Sequence, residues 1–386
     1  MRHLRRHVLL AAPLVAACGA GTSDRTSERS DSAGIEIVRY AGPDRPLAWS
    51  FDTVLVLGGA ESGPQSFYQL GHESVGTDDA GSIYVLDRAA GRVVAFSGDG
   101  TVLRTMGQSG GGPGEFQYPW TLGVTGEGVV SVLDLGKRAL VRFAPGGAVL
   151  DQIPALMPWG RGGPVERHGA IVYPRDASDP DGPRVESLVR ATPHDTVEIA
   201  RFVREPPRTV QFQSCGITLS GMPRIFDATM VWTPMPAGFA VAGTPAYEIV
   251  IHGDTAGPHR IVRRAIDPIP ATRDLALASL GEGMRFTTPS GSRVCDADEA
   301  VEQRGVAPVI PAVLQLGHGP GGTLWVERNL GPGAPQPIDV YGADGAYLGT
   351  LDAGAPFPVL AWATRMAAIV TDENDVARLV VFEVGR

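Results

Sequence analysis

One stretch of this chain is written twice, and that repetition limits what it can fold into more than any other feature. Leu57-Gly58 is followed by Gly63-Pro64 and Phe67; 49 residues later Met106-Gly107 is followed by Gly112-Pro113 and Phe116. At an offset of 47, residues 130–134 replace 83–87, Phe143 replaces Phe96, Gly147 replaces Gly100, and Leu150 replaces Leu103. Each copy holds short β-branched and aromatic runs between turn residues, which is the text of four antiparallel strands. A unit of this size cannot bury its own apolar face, so copies must stack on one another.

The internal spacing has a mechanical origin. In both copies Asp to Phe is nine residues, Phe to Gly four and Gly to Leu three; Tyr341, Gly345 and Leu348 keep the last two intervals. The glycine stands where a tight hairpin demands positive φ. The aromatic residue that ends the third strand and the leucine of the fourth are expected to face the neighbouring sheet.

Taken in order, the units centre on residues 70–106, 119–153, 164–203, 227–266 and 308–352. A sixth, 359–386, supplies only three strands before Arg386. Its fourth strand is expected from the other end of the chain, 35–58, because 54–58 occupies the repeat position of 103–107. Closing a ring in this way leaves no open sheet edge. Between the fourth and fifth units, 267–307 breaks the β text: 272–281 carries leucines at helical spacing and 296–303 suits a further turn or two. The expectation is an all-β, six-bladed propeller closed by an N-terminal strand, with a short helical insertion between blades four and five.

Gly-x-Gly-Pro-Gly-Glu-Phe (110–116), Pro119, Ile-Tyr-Val-Leu-Asp (83–87) and Phe-x-x-x-Gly (96–100) together resemble NHL-type six-bladed β-propellers, especially exported bacterial propeller lipoproteins. The resemblance is sharp over 53–153 and 310–352 and faint over 164–266. NHL-type repeats often carry Asn then Arg after the Asp; here Gly91-Arg92 and Lys137-Arg138 keep only the basic residue. The resemblance implies an architecture shared by protein- and glycan-binding scaffolds, sugar-lactone hydrolases and a peptide-processing lyase, and fold does not choose among them.

The N-terminus reads as an address. Arg2, Arg5 and Arg6 precede an apolar run, 8–17, that is too short to span a bilayer. It ends Leu14-Val15-Ala16-Ala17-Cys18, a text like a lipobox, with Cys18 as the acylated residue. Residues 1–17 are therefore expected to be a signal peptide, 18–34 a flexible tether, and 35–386 the propeller. The expected location is the periplasm or outer membrane, held through a lipid anchor. Losing the leader's three arginines takes the net charge from −9 to −12, which disfavours a nucleic-acid partner. With Cys18 lipidated, Cys215 and Cys295 remain in an oxidising setting, where a disulfide is expected and two buried thiols are the alternative.

Chemistry is less legible. The glycine-rich 109–114 lacks the Gly-Lys-Ser/Thr ending of a P-loop and precedes no helix, so it reads as an inter-blade turn. Asp87 and Asp134 are repeat-equivalent, which points to a turn role rather than paired catalysis. His72, His168, His194, His252, His259 and His318 show no compact metal-ligand spacing. His72 falls opposite Thr121 at the start of an innermost strand, so His72 and its neighbour in register, Trp120, are the candidate ligand-binding residues. No cofactor is expected. The leading reading is a binding module for a protein, peptide or glycan; the alternative is a lactonase or lyase with a divalent metal in the channel. Such lactonases use carboxylates and asparagines, and the only asparagines are Asn329 and Asn374.

Overall fold

The computed structural model describes residues 27–386 except 60–61, 155–163, 179–181, 193, 207, 255–256, 289–290 and 373–375. The expected leader, Cys18 and most of the tether lie outside the described residues.

Six sheets, each built on four antiparallel strands, succeed one another along the chain and close into a six-bladed β-propeller. Blade one is Val75–Thr77, Ile83–Asp87, Arg92–Phe96 and Val102–Met106, from the axis outward. Blades two, three and five repeat this plan from Pro119–Val124, Val165–Arg167 and Val313–Gly319. Blade faces bury apolar side chains against each other. Tyr84, Leu86 and Val93 of blade one meet Val130, Val132 and Phe143 of blade two, and equivalent clusters join blades three to four, four to five, five to six and six to one.

The inner strands must be slim where they converge. Gly76, Gly123 and Gly317 stand opposite Tyr84, Ser131 and Trp325 on their second strands, which are equivalent repeat positions. A Cβ on Gly76 would lie 2.4 Å from Val124, one on Gly123 2.5 Å from the Pro164 carbonyl, and one on Gly317 2.8 Å from Phe357. Each glycine is thus required by the next blade's backbone or side chain and not by its own turn.

The inter-blade joint explains the repeated text. The Phe116 ring lies where a side chain on Gly107 would be, 2.1 Å from an ideal Cβ, at a φ of +73°; Phe67 approaches Gly58 in the same manner, 3.0 Å away at +102°. Phe96, Phe143 and Tyr341 are buried as expected. The leucines are not: Leu103 and Leu150 are 46% and 49% exposed. The cause is a bulge. Pairing steps from Ala95–Arg104 to Phe96–Val102 and from Arg142–Asp151 to Phe143–Val149, leaving each leucine as the extra, unpaired residue. The step from Val340–Gly349 to Tyr341–Tyr347 skips Leu348 likewise, although that leucine packs part-buried against the core between blades five and six.

Ring closure follows the expectation in one part and departs from it in another. Ser50–Leu57 pairs antiparallel with Ala377–Gly385 and completes blade six. Ile35–Tyr40, expected in that same blade, instead runs parallel to Pro258–Arg264 on the outer edge of blade four. Glu28–Ser32, expected in the tether, turns back through Ala33-Gly34 and pairs with it, so blade four has six strands. Between these edges Pro46 bridges Thr350 of blade five, with Leu47 N–H and Arg45 C=O bonded to Thr350. The N-terminal segment is therefore a strap across three consecutive blades. An unpaired outer edge accepts any strand with free backbone groups, and nothing in local sequence says which edge it meets.

Two excursions build a cap. Arg208–Phe212 pairs with Ile217–Met222 between blades three and four. The insertion between blades four and five holds helices α1 (Arg273–Leu280) and α2 (Ala297–Arg304), and also a hairpin, Met284–Thr288 with Gly291–Cys295, where only helix was expected. The Cys215–Cys295 disulfide joins the excursions inside a shared core with Val210, Phe212 and Ala300.

Candidate functional site

The six innermost strands and the turns leading into them surround a channel of about 520 Å³. Its wall is mostly small or apolar, from Val75 and Gly76 through Leu122, Val165, Val231 and Leu316 to Leu360. Polar groups are few: His72, Glu73, Thr77, Thr233, Gln315 and His318.

His72 sits in the short turn before blade one's inner strand, at the channel mouth. Gln315 Nε2 donates to His72 Nδ1 at 2.9 Å, reaching from blade five past blade six, whose Phe357 ring lies 6.3 Å from the imidazole. That bond makes Nδ1 the acceptor and leaves the ring proton on Nε2. Burial in the mouth pulls the His72 pKa below its ordinary value, against the opposing charge of Glu73. His318, farther along the same strand as Gln315, is pushed down to about 4 by burial and by the nearby Arg167 guanidinium. Its Nε2 is buried and has no partner among the described residues. Glu327 stands opposite Gln315 on the next strand, and burial raises its pKa with no cation to offset it.

Trp120 is placed differently from the expectation of a neighbour to His72 in the channel. It does not line the channel; its ring stacks on the Arg88 guanidinium, 3.8 Å from the centroid, with Tyr118 on the rim beside it. Gln315 and His318 were not singled out by sequence reasoning. The signal existed: Gly-Thr-Leu-Trp-Val at 322–326 matches the turn and second strand at 81–85, and they occupy the run just before it, where an innermost strand must lie.

The aspartates and the glycine loop have structural work. Asp134 accepts backbone N–H bonds from Gln117, Tyr118 and Lys137, and Asp87 from Tyr68, Gln69 and Ala90, pinning each inter-blade joint to the blade that follows. In the glycine loop Gly110 N–H bonds to Phe116 C=O and Gly112 N–H to Glu115, so those donors are turned inward and not offered to an anion.

A second cleft of about 420 Å³ lies between the cap and the upper edges of blades four and five. Val231 and Leu314 wall both spaces, so the cleft adjoins the channel. Among the described residues no three His, Cys, Asp or Glu side chains come together as a metal site.

No protein-family model matches the chain, and no characterised protein matches it in sequence. Solved structures do resemble it. A Bacteroides fragilis protein described as exported aligns over 90% of this chain and 98% of its own at a TM-score of 0.50 and 11% identity. A member of the DUF4221 family from Bacteroides vulgatus aligns over 88% and 99% at 0.53 and 9% identity. A gluconolactonase from Xanthomonas campestris aligns over 90% and 99%, but at a TM-score of 0.40 and 14% identity. The first two support the propeller architecture. Identities this low concern fold and not chemistry.

Proposed function

We propose that this chain is a lipid-anchored, extracytoplasmic propeller that binds a protein, peptide or glycan at its channel mouth. The observation that carries the reading is the preformed channel, whose volume lies within the range of ligand sites and whose wall mixes apolar surface with a few placed polar side chains. His72 offers an Nε2–H donor and Gln315 fixes its orientation, an arrangement suited to recognising an amide or hydroxyl group. The disulfide suits an oxidising compartment, and the leader and Cys18 text supply the anchor.

The test uses the ectodomain, residues 27–386, on peptide and glycan arrays beside His72→Ala and Gln315→Ala. Ligands retained by the wild type should bind the variants at least about tenfold more weakly, the scale of one lost buried hydrogen bond. Binding indifferent to both substitutions, or metal-dependent turnover of a lactone, overturns the reading. For the anchor, Cys18→Ser should move the full chain from the membrane fraction to the soluble one.

A further inference from the structure

The cleft beneath the cap holds an arginine that forms no ion pair among the described residues. Arg304, the last residue of α2, lines it together with Arg224 and Asp227, which are its only other charged residues. Asp227 is already engaged: its Oδ1 accepts from Arg224 Nε at 3.0 Å and its Oδ2 from the Arg224 backbone N–H at 2.9 Å. Arg304 itself donates from Nε to the Pro223 carbonyl at 3.0 Å and from Nη1 toward Met284 Sδ at 3.7 Å. Of the five guanidinium donors three are left over, and among the described residues no carboxylate lies within ion-pair distance. Arg224 pairs with Glu205 at 3.2 Å as well as with Asp227, so of the two arginines lining the cleft Arg304 is the one with no ion pair among the described residues.

Arg304 is part-buried, so its spare donors are open to the solvent of the cleft, and the negative end of a two-turn helix offsets only part of one charge. Burial lowers the Arg304 pKa, and the nearby charge of Asp227 offsets only part of that.

The geometry points to a carboxylate-binding site at Arg304, in which the anionic end of an extended ligand is held under the cap while its body enters the channel past Val231 and Leu314. A planar carboxylate matches the guanidinium fork in charge and shape, accepting two parallel bonds. The assignment rests on the channel reading only for the ligand's body; the Arg304 subsite stands on its own contacts.

The experiment uses the folded ectodomain and two probes, N-acetyl-trialanine with a free carboxylate and the same peptide as its amide. Phenylglyoxal labelling of arginines is followed by peptide mass mapping. The free acid at saturation should slow labelling of Arg304 by about tenfold, the ratio for one charge-assisted contact, while the amide does not. The exposed Arg138 on blade two should label equally throughout. Equal behaviour of acid and amide, or no protection by either, overturns the site and leaves Arg304 a helix-end residue only. Arg304→Met, checked by its melting temperature, should lose the wild type's preference for the acid over the amide in calorimetric titration, and an unchanged preference in a folded variant overturns the assignment as well. The two readings fail separately. Array ligands lost by His72→Ala but kept by Arg304→Met sink the cleft and spare the channel, and the opposite pattern does the reverse.

Discussion

Arg264 forms an ion pair with Asp339 inside the interface between blades four and five, and the same guanidinium reaches Asp44 of the N-terminal strap. Asp339 is fully buried and also accepts from Tyr247 Oη at 2.9 Å and Thr350 Oγ1 at 2.6 Å; Arg328 holds Asp44 from the other side at 2.5 Å. Burial alone would pull the Arg264 guanidinium down, but the hydrogen bond and charge of Asp339 hold it above its ordinary value. Removing one partner would leave an uncompensated buried charge. Asp339→Asn is therefore expected to destabilise the domain by about 3–5 kcal/mol, and Asp44→Asn, whose side chain is 49% exposed, by roughly 1 kcal/mol. Urea unfolding of both variants checks the ranking, and equal effects would contradict the burial argument.

The strap separates two roles that sequence reading merged. A chain starting at residue 42 loses only the outer strands of blade four and should still melt cooperatively, at a modestly lower temperature. A chain starting at residue 58 loses the strand that closes blade six and exposes Ala377–Gly385 as an edge. That truncation should aggregate or unfold. Size-exclusion chromatography with calorimetry distinguishes the outcomes, and a stable monomer from the shorter chain would remove closure as a source of stability.

The disulfide links residues 80 apart, a loop for which the chain-entropy estimate is about 4–5 kcal/mol. Its two sulfurs sit in the cap core and not between blades. Cys215→Ser with Cys295→Ser should accordingly loosen the cap, seen as faster amide exchange in Arg208–Phe212 and Gly291–Cys295. Exchange in the inner strands of blades one and two should change little. Uniform loss of protection around the ring would show that cap and ring unfold as one unit.

Four histidines, His72, His252, His259 and His318, have pKa values lowered chiefly by burial. The sign follows from linkage: the unfolded chain takes up these protons first, so the stability they confer is present above about pH 6.5 and is lost as pH falls toward the folded values. His318, the one of the four lowered as far as about 4, contributes at most about 3 kcal/mol of it. Urea midpoints compared at pH 7.5 and 5 should fall less for His318→Gln than for the wild type. An identical fall in both would assign the pH response to carboxylates instead.

Gly107→Ala should cost about 1–3 kcal/mol or more, since the new methyl meets the Phe116 ring at a φ that disfavours side chains. Gly81→Ala, at +79° with open space around it, isolates the backbone part of that cost. The difference between the two melting shifts measures the ring contact, and no difference would mean that the joint relaxes freely.

What the sequence determined by itself is what repeats. Turn glycines, strand-ending aromatics and the joint at 106–134 recur at fixed intervals because each is set by the local geometry of one hairpin, and local geometry is written in consecutive residues. The blade count, the closing strand, the insertion and the turn role of the aspartates were legible for that reason. The tertiary structure alone decided whatever depends on which unit meets which. It placed 35–40 on blade four, flipped Leu103 and Leu150 outward through a bulge, and brought Gln315 to His72 across 243 positions. It also turned Trp120 onto Arg88 and off the channel wall, and left Arg304 without an ion pair among the described residues beneath the cap. Each of these is a contact between elements distant along the chain, chosen by the ring's packing and not by the neighbours of either residue.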